Sequence, residues 1–302
     1  MRNRMESMVR SVQDAICDAV AKLDGGTFRE DRWERKGGGG GTSRVLQDSR
    51  VFEKAGVNVS VVHGTLSPEA AKQMGGGRSL SDKELDFFAT GVSVVIHPRN
   101  PMAPTAHCNY RYFERGSGQG DGAWWFGGGA DLTPSYLFED DAIHFHRTHK
   151  NACDAHDIEF YPRFKRWCDE YFMIPHRGET RGVGGIFFDD LHDRPPEQLF
   201  DFSEACARSF VPAYIPLVER RCEMAFGEPE KRWQELRRGR YAEFNLVYDR
   251  GTTFGLRSAG RIESILMSLP LHARWEYDVQ LEPDSEEARL TEVLRAPRDW
   301  LG

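Results

Sequence analysis

Between residues 91 and 131 the chain alternates side-chain character with a period of two through two successive runs, and this constrains the fold more than any other stretch. The first run is Gly-Val-Ser-Val-Val-Ile-His-Pro (91–98) and the second is Thr-Ala-His-Cys-Asn-Tyr-Arg-Tyr-Phe (105–113). Read as strands, they send successive side chains to opposite faces. Ser93, Val95 and His97 then share one face, and Val92, Val94 and Ile96 the other. In the second run His107, Asn109 and Arg111 share a face, opposite Cys108, Tyr110 and Tyr112. One face therefore gathers a hydroxyl, two imidazoles, an amide and a guanidinium, and the other closes a core. A sheet face that only meets water would carry Lys, Glu and Thr. Donors, acceptors and titratable groups in their place point to binding or catalysis.

The rest of the first half supplies neighbours for such a sheet. Residues 27–36 alternate weakly and predict a strand, and residues 56–62 alternate strongly. Between them lie five glycines, 37–41, read as a turn between strands. The following Thr-Ser-Arg lacks the Lys-[Ser/Thr] of a phosphate-binding loop. Ser67, Pro68 and Glu69 predict a short helix start, and the glycines at 75–77 a loop. Residues 124–131 end in Gly-Gly-Gly-Ala-Asp, and residues 184–190 predict a strand running to Asp189 and Asp190. Adjacent carboxylates on a strand point to opposite faces, so these two are not an acid–base pair. Short connections between successive strands favour antiparallel pairing over repeated strand–helix–strand units.

The second half turns helical. Residues 140–155 carry His144, His146 and His149, and Cys153 shares a helical face with the last two. A lone His-x-x-His is a weak metal signal, and buried or solvated histidines account for it. Phe160, Phe164, Trp167 and Tyr171 recur every three or four residues and predict core packing. Residues 195–226 predict a long helix, kinked or broken at Pro212 and Pro216. Residues 237–240 predict a basic turn, either an anion clamp or a solvated surface. Residues 240–248 alternate again and predict a strand, residues 262–268 a helix, and residues 275–279 a final strand. No repeat or linker divides the chain. The expectation is one α+β domain over residues 1–302: a large antiparallel sheet flanked by helices on both sides, led by a helix over residues 1–25.

Charge and patterning exclude several roles. With 47 acidic against 40 basic residues the chain carries a net charge of −7, the wrong sign for neutralising phosphates. No apolar run approaches the roughly 18 residues of a membrane span. Residues 1–23 have helical spacing, not a continuous apolar core, and Glu6, Asp14 and Asp18 count against a mitochondrial presequence. The six cysteines include no Cys-x-x-Cys pair and read as buried thiols in a reducing cytoplasm.

Four arginines, Arg111, Arg250, Arg257 and Arg261, flank the polar sheet in sequence, and guanidinium groups match carboxylates. Trp124, Trp125, Phe126 and the glycines before Asp131 suit a large flat body. A desolvated carboxylate at Asp131 would accept N–H hydrogen bonds or act as a base. These residues lie within longer runs: Ser-Val-Val-Ile-His-Pro (93–98), His-Cys-Asn-Tyr-Arg (107–111), Trp-Trp-Phe-Gly-Gly-Gly-Ala-Asp-Leu-Thr-Pro (124–134), Asp-Ala-Ile-His-Phe-His (141–146), Arg-Gly-Val-Gly-Gly-Ile-Phe-Phe-Asp-Asp-Leu (181–191) and Arg-Ile-Glu-Ser-Ile-Leu-Met-Ser-Leu-Pro (261–270). Through them, from about residue 28 to 301, the chain resembles the oxygen-dependent coproporphyrinogen III oxidases.

The resemblance implies a homodimer that converts two propionates of coproporphyrinogen III to vinyl groups. Molecular oxygen is the co-substrate, the products are protoporphyrinogen IX, carbon dioxide and hydrogen peroxide, and no organic cofactor is needed. It implies substrate contacts from Ser93, Asn109, Tyr110, Arg111, Ala259, Gly260 and Arg261, proton donation by His107, and engagement of the pyrrole nitrogens by Asp131. It also makes His97, His107, His146 and His176 a possible ligand set for a divalent metal. That set is not favoured: no Cys or carboxylate stands at metal-like spacing beside them, and a dication next to Arg111 would add unfavourable charge. A non-haem metal oxygenase and a tetrapyrrole carrier without turnover are the competing readings. An oxygen-consumption assay separates the carrier, and metal stripping separates the oxygenase.

Overall fold

The computed structural model describes residues 1–66, 85–116, 123–257 and 260–302, with Arg257 described by its backbone. The expected helix start at Ser67, the loop at 75–77, and Ala259 lie outside them.

Seven antiparallel strands form the central sheet. They are β1 (Arg29–Glu34), β2 (Gly39–Gln47), β3 (Phe52–Thr65), β4 (Asp86–Pro98), β5 (Thr105–Arg115), β6 (Ala123–Thr133) and β9 (Gly184–Leu191), in the spatial order β1-β2-β3-β4-β5-β6-β9. A two-stranded ribbon, β7 (Met173–Ile174) with β8 (Glu179–Thr180), precedes β9 in the chain. The glycine run is a turn only in part: the chain turns before Gly39, and Gly39, Gly40 and Gly41 belong to β2. Gly41 must lack a side chain, because a Cβ there would lie 2.3 Å from both the Trp33 ring and the Val59 carbonyl.

Alternation decides the two faces. Val92, Val94, Ile96, Cys108, Tyr110 and Phe126 are fully buried, in one core with α1 (Arg2–Asp24) and α4 (Pro196–Arg221). Helix α1 presents Met5, Met8, Val12, Ile16 and Val20, the helical spacing read from the sequence. Each such side chain contributes about 1.5–3 kcal/mol on burial. Helix α2 (Glu139–Asp154) packs on α4, and α3 (Phe160–Tyr171) closes the sheet edge at β9. Above the polar face lie α5 (Glu228–Glu243), a π-helical turn (Phe244–Tyr248), α6 (Arg250–Arg257) and α7 (Ile262–Leu266). Helix α8 (Glu286–Arg295) packs on the ribbon. The α+β class with helices on both sides is observed. Among the described residues, no helix is long and apolar enough to cross a membrane.

Four local expectations fail. Of the kink or break expected at Pro212 and Pro216, the break does not occur: helix α4 continues through both. Pro216 has no N–H to give the Pro212 carbonyl, and His144 Nε2 donates to that oxygen instead at 2.9 Å. Residues 240–248 form no strand; they end α5 and make the π turn. Their buried members Tyr241, Phe244 and Asn245 also fit i, i+3, i+4, and so short an apolar run does not separate the two periods. Arg237, Arg238 and Arg240 lie on that helix, not in a turn. Arg237 and Arg238 are buried in ion pairs with Glu179 and Glu53, neither a solvated surface nor an open anion clamp. Residues 275–279 pair with no strand among the described residues, and Trp275 and Tyr277 stand in solvent.

Candidate active site

The pairing register builds the floor of a cleft from three rows across β4, β5 and β6. Val95 stands opposite His107 and His107 opposite Asp131; Ser93 opposite Asn109 and Asn109 opposite Gly129; Gly91 opposite Arg111 and Arg111 opposite Gly127. Directly opposed residues on one face have side chains in contact. The sheet therefore brings together residues that the sequence analysis placed on two separate strands. The cleft above them encloses about 230 Å³ and is walled by Tyr171, Phe172, Phe187, Tyr241 and Asn245. The expected aromatics are elsewhere. Trp125 stacks on Phe113 one row beyond Arg111 and does not line the cleft, and Phe126 faces Tyr112 in the core.

In the first row, His107 Nδ1 donates to Asp131 Oδ1 at 2.8 Å, which leaves Nε2 as the nitrogen available to the cleft. Asp131 is buried behind His107 and does not line the cleft. Arg181, from the loop between β8 and β9, donates from Nη2 to both Asp131 oxygens at 2.9 and 2.8 Å. Its Nη1 donates to Asn245 Oδ1 at 2.7 Å. The Arg181 guanidinium packs among the rings of Phe172, Tyr241 and Phe244, 4.2, 4.5 and 4.9 Å from their centres. Burial alone would raise the Asp131 pKa, but the Arg181 charge and the His107 hydrogen bond more than offset it, and the carboxyl is held below its usual range. Asp131 is thus a paired anion supporting His107, not a free base in an aromatic pocket.

In the third row, Arg111 Nη2 donates to Asp189 Oδ1 at 2.5 Å, and Arg250 Nη2 donates to Asp189 Oδ2 at 3.3 Å. Burial opposes the Arg111 charge, yet the Asp189 carboxylate outweighs it and raises the guanidinium pKa further. Arg250 also lies over the Tyr171 ring, 5.1 Å from its centre.

Ser93, His107, Asn109 and Arg111 are brought together, and Tyr110, Gly260 and Arg261 are not among them. Tyr110 points into the core, fully buried, with its hydroxyl donating to the Cys206 carbonyl at 3.0 Å. Strand alternation had already placed it there, and a substrate contact from its side chain is ruled out by that geometry. Arg261 caps α7 beside the cleft, bound to Asp31 and to Ser264 Oγ, and lines a separate recess with Arg29 and Lys54. Gly260 donates to the Gly255 carbonyl, and Ala259 is outside the described residues.

The four histidines do not form a ligand set. His97 Nε2 donates to the Ser268 carbonyl and Nδ1 accepts from Thr105. His146 Nε2 donates to the Val183 carbonyl and Nδ1 accepts from Tyr161. His176 is held by Glu243 and Tyr248, and His107 by Asp131. Burial pushes the pKa of His97 down to about 3 and of His146 to about 4. Both act as neutral hydrogen-bonding groups tying elements together. A divalent metal does not fit these residues, since three of the four have both ring nitrogens engaged.

Sequence reasoning missed Arg181, Asn245, Asp189 and Tyr171. The sequence does carry a signal for Asp189, a carboxylate at a strand end in phase with Phe187. Arg181 and Asn245 lie in a loop and a π turn, where no side-chain period exists.

A family model described as coproporphyrinogen III oxidase matches residues 4–300. The human protein named oxygen-dependent coproporphyrinogen-III oxidase, mitochondrial, is 60% identical over 306 residues, covering 100% of this chain and 67% of that protein. The Arabidopsis thaliana protein named coproporphyrinogen-III oxidase 1, chloroplastic, is 59% identical, covering 100% of this chain and 80% of its own length. A Drosophila melanogaster oxygen-dependent coproporphyrinogen-III oxidase is 56% identical, with 100% and 78% covered.

Proposed function

The chain belongs to the coproporphyrinogen III oxidase family, and from that premise we propose how its cleft carries out the oxidative decarboxylation of coproporphyrinogen III. In each of two rounds one propionate loses carbon dioxide, one proton and two electrons to become a vinyl group, and one dioxygen takes up those electrons with two protons, one of them drawn from solvent, to become hydrogen peroxide. The substrate is a tetracarboxylate with four pyrrole N–H groups. Its chemical complement is a guanidinium for a carboxylate and a proton acceptor near a ring nitrogen.

One observation supports this reading above the rest: His107, backed by the buried Asp131–Arg181 pair, stands in the same cleft floor as Arg111. With Nδ1–H committed to Asp131, His107 presents Nε2 as a base. Asp131 fixes that tautomer and stabilises the imidazolium formed when Nε2 takes a pyrrole proton. The same imidazolium can then return a proton. Arg181 keeps Asp131 ionised and in place. Ser93 and Asn109, in the row between, supply polar groups to the macrocycle, and Arg111 supplies charge for a propionate. The walls of Tyr171, Phe172 and Phe187 exclude water from the ring. Neither a metal nor an organic cofactor enters this scheme; dioxygen is the co-substrate.

The chain acts as a homodimer in the same reading. Leu246, Val247, Phe254, Leu256 and Ile262, from the π turn, α6 and α7, are all at least 38% exposed. So much exposed apolar surface in neighbouring elements marks an association site. The six unpaired thiols suit a reducing compartment, read as the cytoplasm.

The test is anaerobically prepared coproporphyrinogen III mixed with the protein in an oxygen electrode. Two dioxygen consumed and two carbon dioxide released per protoporphyrinogen formed support the reading. Binding without oxygen uptake would make the protein a carrier and overturn it.

A further inference from the structure

We propose that Asp189 is the positioning residue of a two-arginine carboxylate clamp, holding Arg111 and Arg250 side by side to receive one propionate. This rests on the functional reading above and assigns a part that it leaves open.

Three observations carry it. Asp189 bridges guanidinium groups from separate parts of the fold, β5 and the start of α6, with one carboxylate oxygen to each. Its Oδ1 also accepts from the Asp190 backbone N–H at 3.0 Å, so the carboxylate is fixed to its own strand. Next, the ladder between β6 and β9 is interrupted here: Phe126 pairs with Leu191 and Gly128 with Phe188, so Asp189 and Asp190 together stand opposite Gly127 alone. Asp190 takes a positive φ of 48° within that bulge. Bulges and left-handed non-glycine residues recur where a strand re-aims a functional side chain. Finally, Gly127 makes room for the ion pair. A Cβ at this position would lie 2.7 Å from Arg111 Nε and 2.8 Å from Asp189 Oδ1. The pair lies flat across β6, where any side chain would displace it.

The charges decide what the cluster is for. The ion-paired groups, two guanidiniums and one carboxylate, carry one net positive charge, the complement of one propionate; Asp190 and Asp249 also act on these arginines, but neither forms an ion pair with them among the described residues. Without Asp189 the two cations would repel and spread, and Arg250, 60% exposed at its side chain, would lose its tie to the cleft floor. The remaining neighbours do not substitute: Tyr171 offers Arg250 a ring face, and Asp249 is occupied by the Tyr171 hydroxyl and the Thr252 N–H.

Two variants test this by opposite routes. Asp189→Asn removes the bridging charge with little change of shape. Gly127→Ala leaves every charge in place and forces the pair apart, and the backbone there needs no positive φ. Both should raise KM for coproporphyrinogen III about tenfold, with kcat falling no more than about threefold, because a lost carboxylate contact acts in ground and transition states alike. Both should weaken binding of coproporphyrin III, followed by fluorescence, by a similar factor. Gly127→Ala carries the test alone if Asp189→Asn does not fold. A folded variant with KM and dissociation constant within twofold of wild type, or one whose loss is confined to kcat, overturns the proposal. If the wild-type protein consumes no oxygen with coproporphyrinogen III, the functional reading fails instead, and the clamp is judged on coproporphyrin III binding.

Discussion

Replacing Asp131 by Asn tests the centre of the site. The substitution keeps the shape of the side chain and removes a charge paired with Arg181, both side chains being only 2% exposed. Removing one partner of such a buried pair costs about 3–5 kcal/mol, because the other charge is left uncompensated. Arg181 keeps Asn245 and its three ring contacts, each worth about 0.5–2 kcal/mol, so a loss of about 3 kcal/mol is expected, read as a lower urea midpoint. Catalysis should suffer separately. An amide neither fixes the His107 tautomer nor stabilises the imidazolium, and kcat should fall by about 10²–10⁴-fold. Two controls divide the effects. Asp131→Asn combined with Arg181→Met removes the orphaned cation and should recover part of the stability with none of the activity. The stability gap between wild type and Asp131→Asn should also depend on pH. The folded pKa of Asp131 lies below its ordinary value near 3.8, so ionised Asp131 stabilises the fold fully above that value, and the contribution is lost as pH falls through the folded pKa. The gap should be full at pH 7 and close in strong acid. A folded Asp131→Asn variant with kcat within threefold of wild type would refute the dyad.

Arg111→Ala should chiefly weaken binding, by on the order of 2–4 kcal/mol for a lost charge-assisted contact; an unchanged dissociation constant for coproporphyrin III removes Arg111 from the site. His97, His146 and His149, with pKa values lowered by burial to about 3, 4 and 3, take up protons only on unfolding. Stability should therefore fall as pH drops from about 6.5 toward 4, by up to about 1.4 kcal/mol per pH unit for each histidine, and equal urea midpoints at pH 7 and pH 5 would contradict it. Protein stripped by a strong chelator and verified by elemental analysis should keep most of its activity in metal-free buffer; activity restored by one divalent ion per chain would make the histidines ligands. Sedimentation at micromolar concentration should give twice 34.5 kDa, and a monomer would dispose of the dimer.

The three-row floor of the site was half legible in the chain. The faces of β4 and β5 follow from a period of two within ten residues, a local property that survives any tertiary arrangement. Alternation even placed Tyr110 in the core against its expected role as a substrate contact. Helix α1 and the stripe on α3 were readable for the same reason, a local period of 3.6. The mouth of the cleft was not. Residues 240–248 satisfy both periods, and only packing over the sheet selects a helix with a π turn that carries Asn245 to Arg181. Pro216 predicts a kink or break in α4, yet the helix continues, and the Pro212 carbonyl that Pro216 leaves without a donor is satisfied by His144 from another helix, 68 positions away. The partners that define the chemistry are equally remote: Arg181 lies 50 positions from Asp131, and Asp189 lies 78 from Arg111. A side chain's face is set by its own strand, and so the sequence carries it. Which charge stands opposite depends on the register of β5, β6 and β9, fixed only when the whole sheet closes over its core.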